Sequence, residues 1–598
     1  MANDIKKSSF GSNRSTLPKA AALAMGGIAM ASNAEAASIK DISDEIINTD
    51  VLVIGGGYAG VLAAIKAKDK GADVVLADKG YVGRSGSSVW AGSFSTFDPA
   101  GNQTRESFHQ NAIRQDEYLY RKDYLDMWLD DSKAVGDLLT SWGCVGALNP
   151  GDIHREKLIK NNIRIVERLM ITNLLEKNGQ VIGAMGFPME EDKAIIIKAK
   201  AVVLCTGAGA FKNSGFPIGP LTYDGQAMAY RLGAEISGKE WNDHHMVPSE
   251  HIDSVWYQYE NHFNIAFGVS SGGAQGARSG GAQGSRSGGA QGARSGGAQG
   301  ARSGGNARTG GRLNAKDVIF EAHKGNVPVL VEDILGEGQT AMGPNKFFPK
   351  TSVVVGSTAG EAPHRHDGLF PADDKCATNL TGLYAAGDAM FSGATSGTGM
   401  SSSGCAVQGA TAGVSAAAFV KNGEFPVISD SEISNIKEQV FEPRIRAKGF
   451  SPSWVTQVIQ NIMTPYYVLY VKKKERLEAA LTNIKFLRDH FAPKLLANNT
   501  HQLRLAHETR NMILNAEMKL RASLFRTESR CTHYREDFPA RSDTDWLAFV
   551  IIKQNNGKME LYKKDLPEDS KPDPKLTYEQ KYNSRFPGEI EFLRKEGN

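Results

Sequence analysis

The run Val51-Leu-Val-Ile-Gly-Gly-Gly-Tyr-Ala-Gly60 constrains this chain more than any other stretch. A short β-branched strand, Val51 to Ile54, runs straight into Gly55, Gly57 and Gly60 and then into an alanine-rich helical pattern. Gly55 permits a tight turn, Gly57 lets the backbone approach a pyrophosphate, and Gly60 allows helix and strand to pack closely. The helix N-terminus offers free N–H groups and partial positive charge to phosphates. A second strand, Asp73 to Ala77, ends at Asp78, where such folds place an acid for ribose hydroxyls. Strand, glycine turn, helix, strand and acid together predict a dinucleotide site.

Two later segments narrow the nucleotide. Lys198-Ala-Lys-Ala-Val-Val-Leu-Cys-Thr-Gly-Ala-Gly209 is another buried strand ending in a small-residue turn, and Asn379-Leu-Thr-Gly-Leu-Tyr-Ala-Ala-Gly-Asp388 is a third. With the first motif they resemble the three FAD-contact segments of large flavoprotein oxidoreductases, in which the last aspartate, here Asp388, bonds the ribityl chain. The Gly/Ser-rich run Gly393 to Gly404 feeds an apolar helical stretch to about Val420. Its N-terminal dipole would stabilise an anionic reduced flavin.

Further on, Phe525-Arg-Thr-Glu-Ser-Arg-Cys-Thr-His-Tyr-Arg-Glu-Asp-Phe-Pro539 and Asp543-Thr-Asp-Trp546 resemble the C-terminal signature of the succinate dehydrogenase/fumarate reductase flavoprotein subunits, and of their relative, the adenylylsulfate reductase alpha subunit. Thr222-Tyr-Asp-Gly-Gln-Ala-Met-Ala229 and Leu232-Gly-Ala-Glu235 match family positions too. The resemblance implies an α/β fold: an FAD-binding Rossmann-like domain with an inserted α+β capping domain and a C-terminal helical domain. The expected boundaries are a signal peptide at 1–36, FAD-binding parts at 49–230 and 351–425, and a cap at 231–350 carrying a disordered repeat loop at 271–312. A helical domain at 430–553 and a surface-wrapping tail at 554–598 complete the chain. The cofactor residues it implies are Gly55, Gly57, Gly60, Asp78, Lys79, Ser85, Gly86, Val166, Thr206, Gly207, Asp224, Gly387, Asp388 and Ser401.

Family members that bind FAD covalently carry histidine after an Arg-Ser pair. Here Gly83-Arg-Ser-Gly-Ser87 puts Gly86 at that position, which implies non-covalent FAD and leans towards a reductase. Of the family's substrate groups, His244 in Trp241-Asn-Asp-His-His-Met-Val247 keeps one histidine, while Ser352 stands where a second would be. Ser396, in Ser392-Gly-Ala-Thr-Ser-Gly-Thr-Gly-Met-Ser401, replaces the dicarboxylate-clamping arginine, and Arg312 matches the proton-delivering arginine within a one-residue slip. His244 and Arg312 are the catalytic candidates. A serine cannot reproduce a bidentate guanidinium clamp, which argues against fumarate or succinate as substrate.

At 598 residues the chain can bury several cores, and a net charge of +3 points to no nucleic acid. Five scattered cysteines without a Cys-x-x-Cys pair exclude an iron–sulfur set, haem attachment and a disulfide framework, and no metal site is expected. Electrons must then come from a separate partner, a cytochrome or an iron–sulfur subunit. Lys6, Lys7, Arg14 and Lys19, the apolar run Ala20 to Ala31 and Ala34-Glu-Ala36 read as an export signal. This implies a periplasmic protein, exported by the twin-arginine route despite the missing Arg-Arg pair, and no segment reads as a membrane span. An eight-residue repeat begins at Ser271-Gly-Gly-Ala-Gln-Gly-Ala-Arg278; its Gly/Ser composition cannot build a core. From Asp430 the pattern is helical, with Val455, Ile459 and Ile462, then Leu477, Leu481, Ile484 and Leu487 at helical spacing. Lys472, Lys473, Lys474 and Arg476 read as a solvated face.

Three functions fit. One is an FAD-dependent reductase, or dehydrogenase, of a small organic acid or related acceptor other than fumarate. The second is an adenylylsulfate-reductase-like sulfur oxidoreductase, and the third an electron-transfer flavoprotein subunit without turnover of its own.

Overall fold

The computed structural model describes residues 37–241 and 367–595, with breaks at 91–93, 146–149, 213–220, 394–400, 422, 426, 470 and 583–585. It also describes the short strands Met30–Ser32, Met246–Pro248, Val329–Leu330, Gln339–Thr340, Gly343–Pro344 and Ser352–Val355.

The first motif folds as expected, on a longer strand. β1 (Ser43–Ile54) leads into α1 (Tyr58–Asp69) and β2 (Val74–Ala77). β1 starts eight residues earlier than Val51 because it runs parallel to β6 (Lys193–Leu204) over nearly its whole length, from Ser43↔Lys193 to Ile54↔Leu204. Between them in sequence come β3 (Arg164–Val166), β4 (Leu169–Lys177) and β5 (Gln180–Pro188). The sheet order is β3-β2-β1-β6-β5-β4. The N-terminal half of β6 pairs with β5, and its C-terminal half pairs in parallel with β7 (Leu383–Ala385). β2, β1, β6 and β7 therefore finish along one edge, at Asp78, Gly55, Cys205 and Ala386.

α1 is buried on almost every side, from Tyr58 to Ile65 and at Ala67. One face meets the sheet and another meets the apolar helix α3 (Ser401–Val420), with α2 (Asp224–Arg231) preceding it in the chain. The small residues explain the close fit: a Cβ on Gly409 would sit 2.1 Å from the Ala59 carbonyl oxygen, and one on Gly413 would sit 2.2 Å from that of Ala63. Among the described residues only Ser402–Val420 is long and apolar enough to cross a membrane, and it is this core helix.

The C-terminal helices are α4 (Asp430–Ile445), α5 (Pro452–Met463), α6 (Lys474–His490) and α7 (Thr500–Phe525). Val455, Ile459, Leu477, Leu481, Ile484 and Leu487 enter one core, with Ile462 half-buried against it. Two expectations fail here. Lys472 is buried rather than solvated, because its ammonium donates to the Glu240 carbonyl at 2.6 Å and faces His533 Nδ1 at 3.1 Å. The boundary at 553/554 cuts a strand: β8 (Ala548–Asn555) pairs with β9 (Lys558–Asp565), and also with Ile236–Ser237, which pairs with Gly368–Leu369. Asn556 and Gly557, both at positive φ, form the turn that joins the hairpin. The last segment is equally anchored, since Glu589 is fully buried against Arg541.

Most of the cap expected at 231–350 and the whole repeat loop at 271–312 lie outside the described residues. Two described strands of the cap, Val329–Leu330 and Met246–Pro248, flank Ser352–Val355 of the following FAD-binding part in an antiparallel trio. Of the expected leader, Met30–Ser32 pairs with Lys448–Phe450.

Candidate dinucleotide site

Beyond the carboxyl ends of β1, β2, β6 and β7 lies an open cleft of about 950 Å³, where open α/β sheets take their ligands. Gly55, with φ +108, makes the turn out of β1, and a Cβ there would meet the Cys205 carbonyl oxygen at 2.3 Å. Gly60 lies beneath the lining; its Cβ would fall 1.7 Å from the Gly55 carbonyl oxygen, so helix and turn touch backbone to backbone. Gly57 caps α1 without any side-chain cap, and the next N–H, of Tyr58, donates to Ser88 Oγ at 3.1 Å.

Asp78 is buried at the end of β2. Its Oδ2 accepts from Gly56 N–H at 2.6 Å, its Oδ1 from Gly80 N–H at 2.7 Å, and Ser85 Oγ stands 3.1 Å from Oδ1. Three donors on a carboxylate leave acceptor capacity for a ribose hydroxyl. Opposite, Thr206 and Gly207 follow β6, and the Thr206 hydroxyl is buried without a partner. Such an orphan in a cleft wall is what a polar ligand would satisfy. Gly387, at φ +68, donates to Gln408 Oε1 at 3.0 Å, and buried Asp388 accepts from Cys405 Sγ at 3.5 Å. A glycine turn at a helix start, an acid with spare lone pairs, an orphan hydroxyl and a second buried acid fit FAD.

Gly55, Gly57, Asp78, Lys79, Ser85, Gly86, Thr206, Gly207, Asp224, Gly387 and Asp388 all line this cleft. Val166 does not: its carbonyl accepts the Asp78 N–H at 2.9 Å, so it supports the acid from behind. Ser401 begins α3, and His244, Arg312 and Ser396 lie outside the described residues; Ser352 is described only as a strand position.

Lys79 lines the cleft and is also held by its surroundings. Its ammonium donates to Asp224 Oδ2 at 2.7 Å, Glu508 Oε1 at 3.0 Å and Thr222 Oγ1 at 3.3 Å. All three N–H bonds are spent within the protein, two of them on groups that line the cleft. Glu508, on α7, is fully buried and also takes Arg504 at 2.8 Å and Lys212. Burial raises its pKa, but Lys79, Lys212 and Arg504 overcome that and hold it at about 2. From the next turn, Asn511 Nδ2 donates to Asp224 Oδ1 at 2.9 Å and its Oδ1 accepts from Arg231 at 2.6 Å. Glu508 and Asn511 were not foreseen, and nothing in their helical spacing marks them. Ser88 and Cys405 were missed too; Ser88 at least continues the Gly83–Ser87 run.

Most of the signature from Phe525 is buried. Arg526, Arg530 and Arg535 are almost wholly excluded from solvent. Arg530 bonds Glu528 through two nitrogens at 2.8 and 2.9 Å and Asp543 at 2.9 Å. Arg526 reaches Glu240 at 3.0 Å and Glu528 at 2.8 Å. Among the described residues none of the five cysteines forms a disulfide, and no His, Cys, Asp and Glu group could hold a metal.

Comparison with known proteins accords with this geometry. An FAD binding domain model matches residues 50–158, and a fumarate reductase flavoprotein C-terminal model matches 456–578. An uncharacterized FAD-dependent oxidoreductase of Methanocaldococcus jannaschii is 25% identical over 553 residues, 85% of this chain and 96% of that one. A subunit of the fumarate reductase (CoM/CoB) of Methanothermobacter marburgensis is 24% identical over 568 residues, 87% of this chain and 99% of its own. Adenylylsulfate reductase of Archaeoglobus fulgidus superposes with a TM-score of 0.66 at 20% identity, covering 90% of this chain and 99% of its own, a likeness of fold.

Proposed function

Because the chain is an FAD-dependent oxidoreductase of the succinate dehydrogenase/fumarate reductase flavoprotein family, we propose that it reduces a small organic acid or related acceptor other than fumarate, with electrons from a separate protein. The observation that carries the flavin part is the convergence of three chain segments, at Gly55–Asp78, Thr206–Gly207 and Gly387–Asp388, on one cleft. Bound there, FAD would supply hydride and electron-transfer chemistry. The chain's part is to hold it: the Gly55–Gly57 backbone at the phosphates, Asp78 at a ribose, Asp388 at the ribityl chain.

Attachment is non-covalent in this reading. Gly86 lines the cleft at φ +74 and offers no side-chain nucleophile. The choice of acceptor rests on the sequence, where Ser396 stands in place of a clamping arginine. His244 would contact the substrate and Arg312 would deliver the proton. The electron donor would be a cytochrome or iron–sulfur subunit, since the chain has no cysteine set for either cofactor and its Methanothermobacter relative is itself one subunit of an enzyme. Export to the periplasm is supported by the pattern of residues 1–36; fractionation and N-terminal sequencing test it. Cleavage after Ala36 would remove the Met30–Ser32 pairing with Lys448–Phe450.

The test of function is anaerobic reduction of the flavin followed by reoxidation against fumarate, substituted acrylates, adenylylsulfate and sulfite. Reoxidation by an acrylate but not fumarate is expected. Rapid reoxidation by fumarate would refute the argument from Ser396, adenylylsulfate turnover with sulfite bleaching would favour the sulfur reading, and silence throughout would favour a subunit without turnover.

A further inference from the structure

The cleft wall around Lys79 is made by two units of the chain. Lys79, Thr222 and Asp224 belong to the dinucleotide unit and line the cleft. Glu508 belongs to α7, does not line the cleft, and is reached by Lys79, Lys212 and Arg504 together. We propose that Glu508 is a positioning residue for the cofactor: by fixing Lys79, and through it Asp224 and Thr222, it makes docking of the C-terminal helices and binding of FAD one thermodynamically linked event.

The physical reasons are connected. An ammonium has three donors, and Lys79 spends all of them holding the wall, one on Glu508. Without that carboxylate, Lys212 and Arg504 would lose the anion they share and Lys79 would keep only Asp224, and like charges in a low-dielectric site separate. Lys79 directly follows Asp78, whose carboxylate ties the Gly56 and Gly80 N–H groups. Movement of Lys79 therefore disturbs the acid and the glycine turn in the same step. By reciprocity, a ligand that orders this wall stabilises α7 by the same factor that α7 strengthens ligand binding.

The same helix supplies a control. Glu517 is also buried, and it pairs with two arginines, Arg488 at 2.7 Å and Arg521 at 2.7 Å, neither of which lines the cleft. The inference rests on the flavin reading, and the experiment separates their failures. Wild type, Glu508→Gln and Glu517→Gln are stripped of flavin and titrated with FAD by fluorescence quenching, and hydrogen exchange in α7 is followed with and without FAD. The expected result is FAD affinity weakened about tenfold in Glu508→Gln and unchanged within about twofold in Glu517→Gln. FAD should slow exchange in α7 of wild type and Glu517→Gln but not of Glu508→Gln. In a Lys79→Met background, Glu508→Gln should add little further loss.

Equal losses in both variants would reduce Glu508 to a structural role and overturn the proposal. So would tighter binding in Glu508→Gln, the outcome if the carboxylate merely offset positive charge facing the diphosphate. No FAD binding by wild type would instead refute the flavin reading itself.

Discussion

The dinucleotide unit and the C-terminal helical unit meet at Lys79 and Glu508, yet each builds its share with different groups. On one side the geometry is made by backbone: Gly55, Gly60, Gly409 and Gly413 let main chains touch. On the other it is made by buried side-chain charges, with Glu508, Glu528, Arg526 and Arg530 wholly or almost wholly excluded from water. Backbone contact can be achieved by few residue types, whereas charge networks depend on partners far apart in sequence.

The comparison can be broken most sharply at Gly60. Replacing it with valine puts carbon against the Gly55 carbonyl oxygen, with no side chain free to yield. We expect no soluble flavin-loaded protein, judged by the flavin-to-protein absorbance ratio; normal loading would show that the close approach is not required. Next is Arg530→Met, which leaves Glu528 and Asp543 without their shared cation. Breaking a buried pair from one side costs about 3–5 kcal/mol. Urea unfolding measures this, and a loss below about 1 kcal/mol would place the network with ordinary surface pairs.

Acid tests both units at once. Burial pushes His154, in the dinucleotide unit, down to about 4 and His507, in the helical unit, down to about 3, against 6.5 for a free imidazole. Between these values and 6.5 the unfolded chain binds protons that the fold refuses. Stability is therefore fully present above pH 6.5 and falls as pH drops, by up to about 2.7 kcal/mol per pH unit for the two together. Urea midpoints at pH 7.5, 6 and 5 follow it, and His507→Gln should roughly halve the slope. A flat profile would mean that these imidazoles reach water.

The smallest effect is local. Asn499 caps α7 by accepting the Gln502 N–H at 2.9 Å, and Asn499→Ala should cost about 1 kcal/mol. FAD affinity should fall slightly with it if α7 and the cleft are linked, and not at all if they are independent.

Much of the cleft was legible because its chemistry is local. Strand, glycine turn and acid lie within about thirty residues, and Thr206 and Asp388 follow short apolar runs, bounded by small-residue turns, that read as buried strands. The core of the helical unit was legible at Val455, Ile459, Leu477 and Ile484 through simple periodicity. Its polar interior was not. Lys472 in a basic run looks like surface until the Glu240 carbonyl, more than two hundred residues away, is found beside it. Glu508 looks like any helical glutamate until Lys79 and Lys212 converge on it. The hairpin of β8 and β9 was not read, because the charged composition of β9 hides the strand that follows the Asn556-Gly557 turn signal. His244 and Arg312, outside the described residues, stay as sequence-based candidates.

The most direct measurement is the stoichiometry and attachment of the flavin. Apoprotein is titrated with FAD, and the saturated complex is then precipitated with acid. The account predicts one FAD per chain, all of it released to the supernatant, as a cleft with glycine at position 86 requires. Flavin retained in the protein pellet, or no saturable binding, would contradict it.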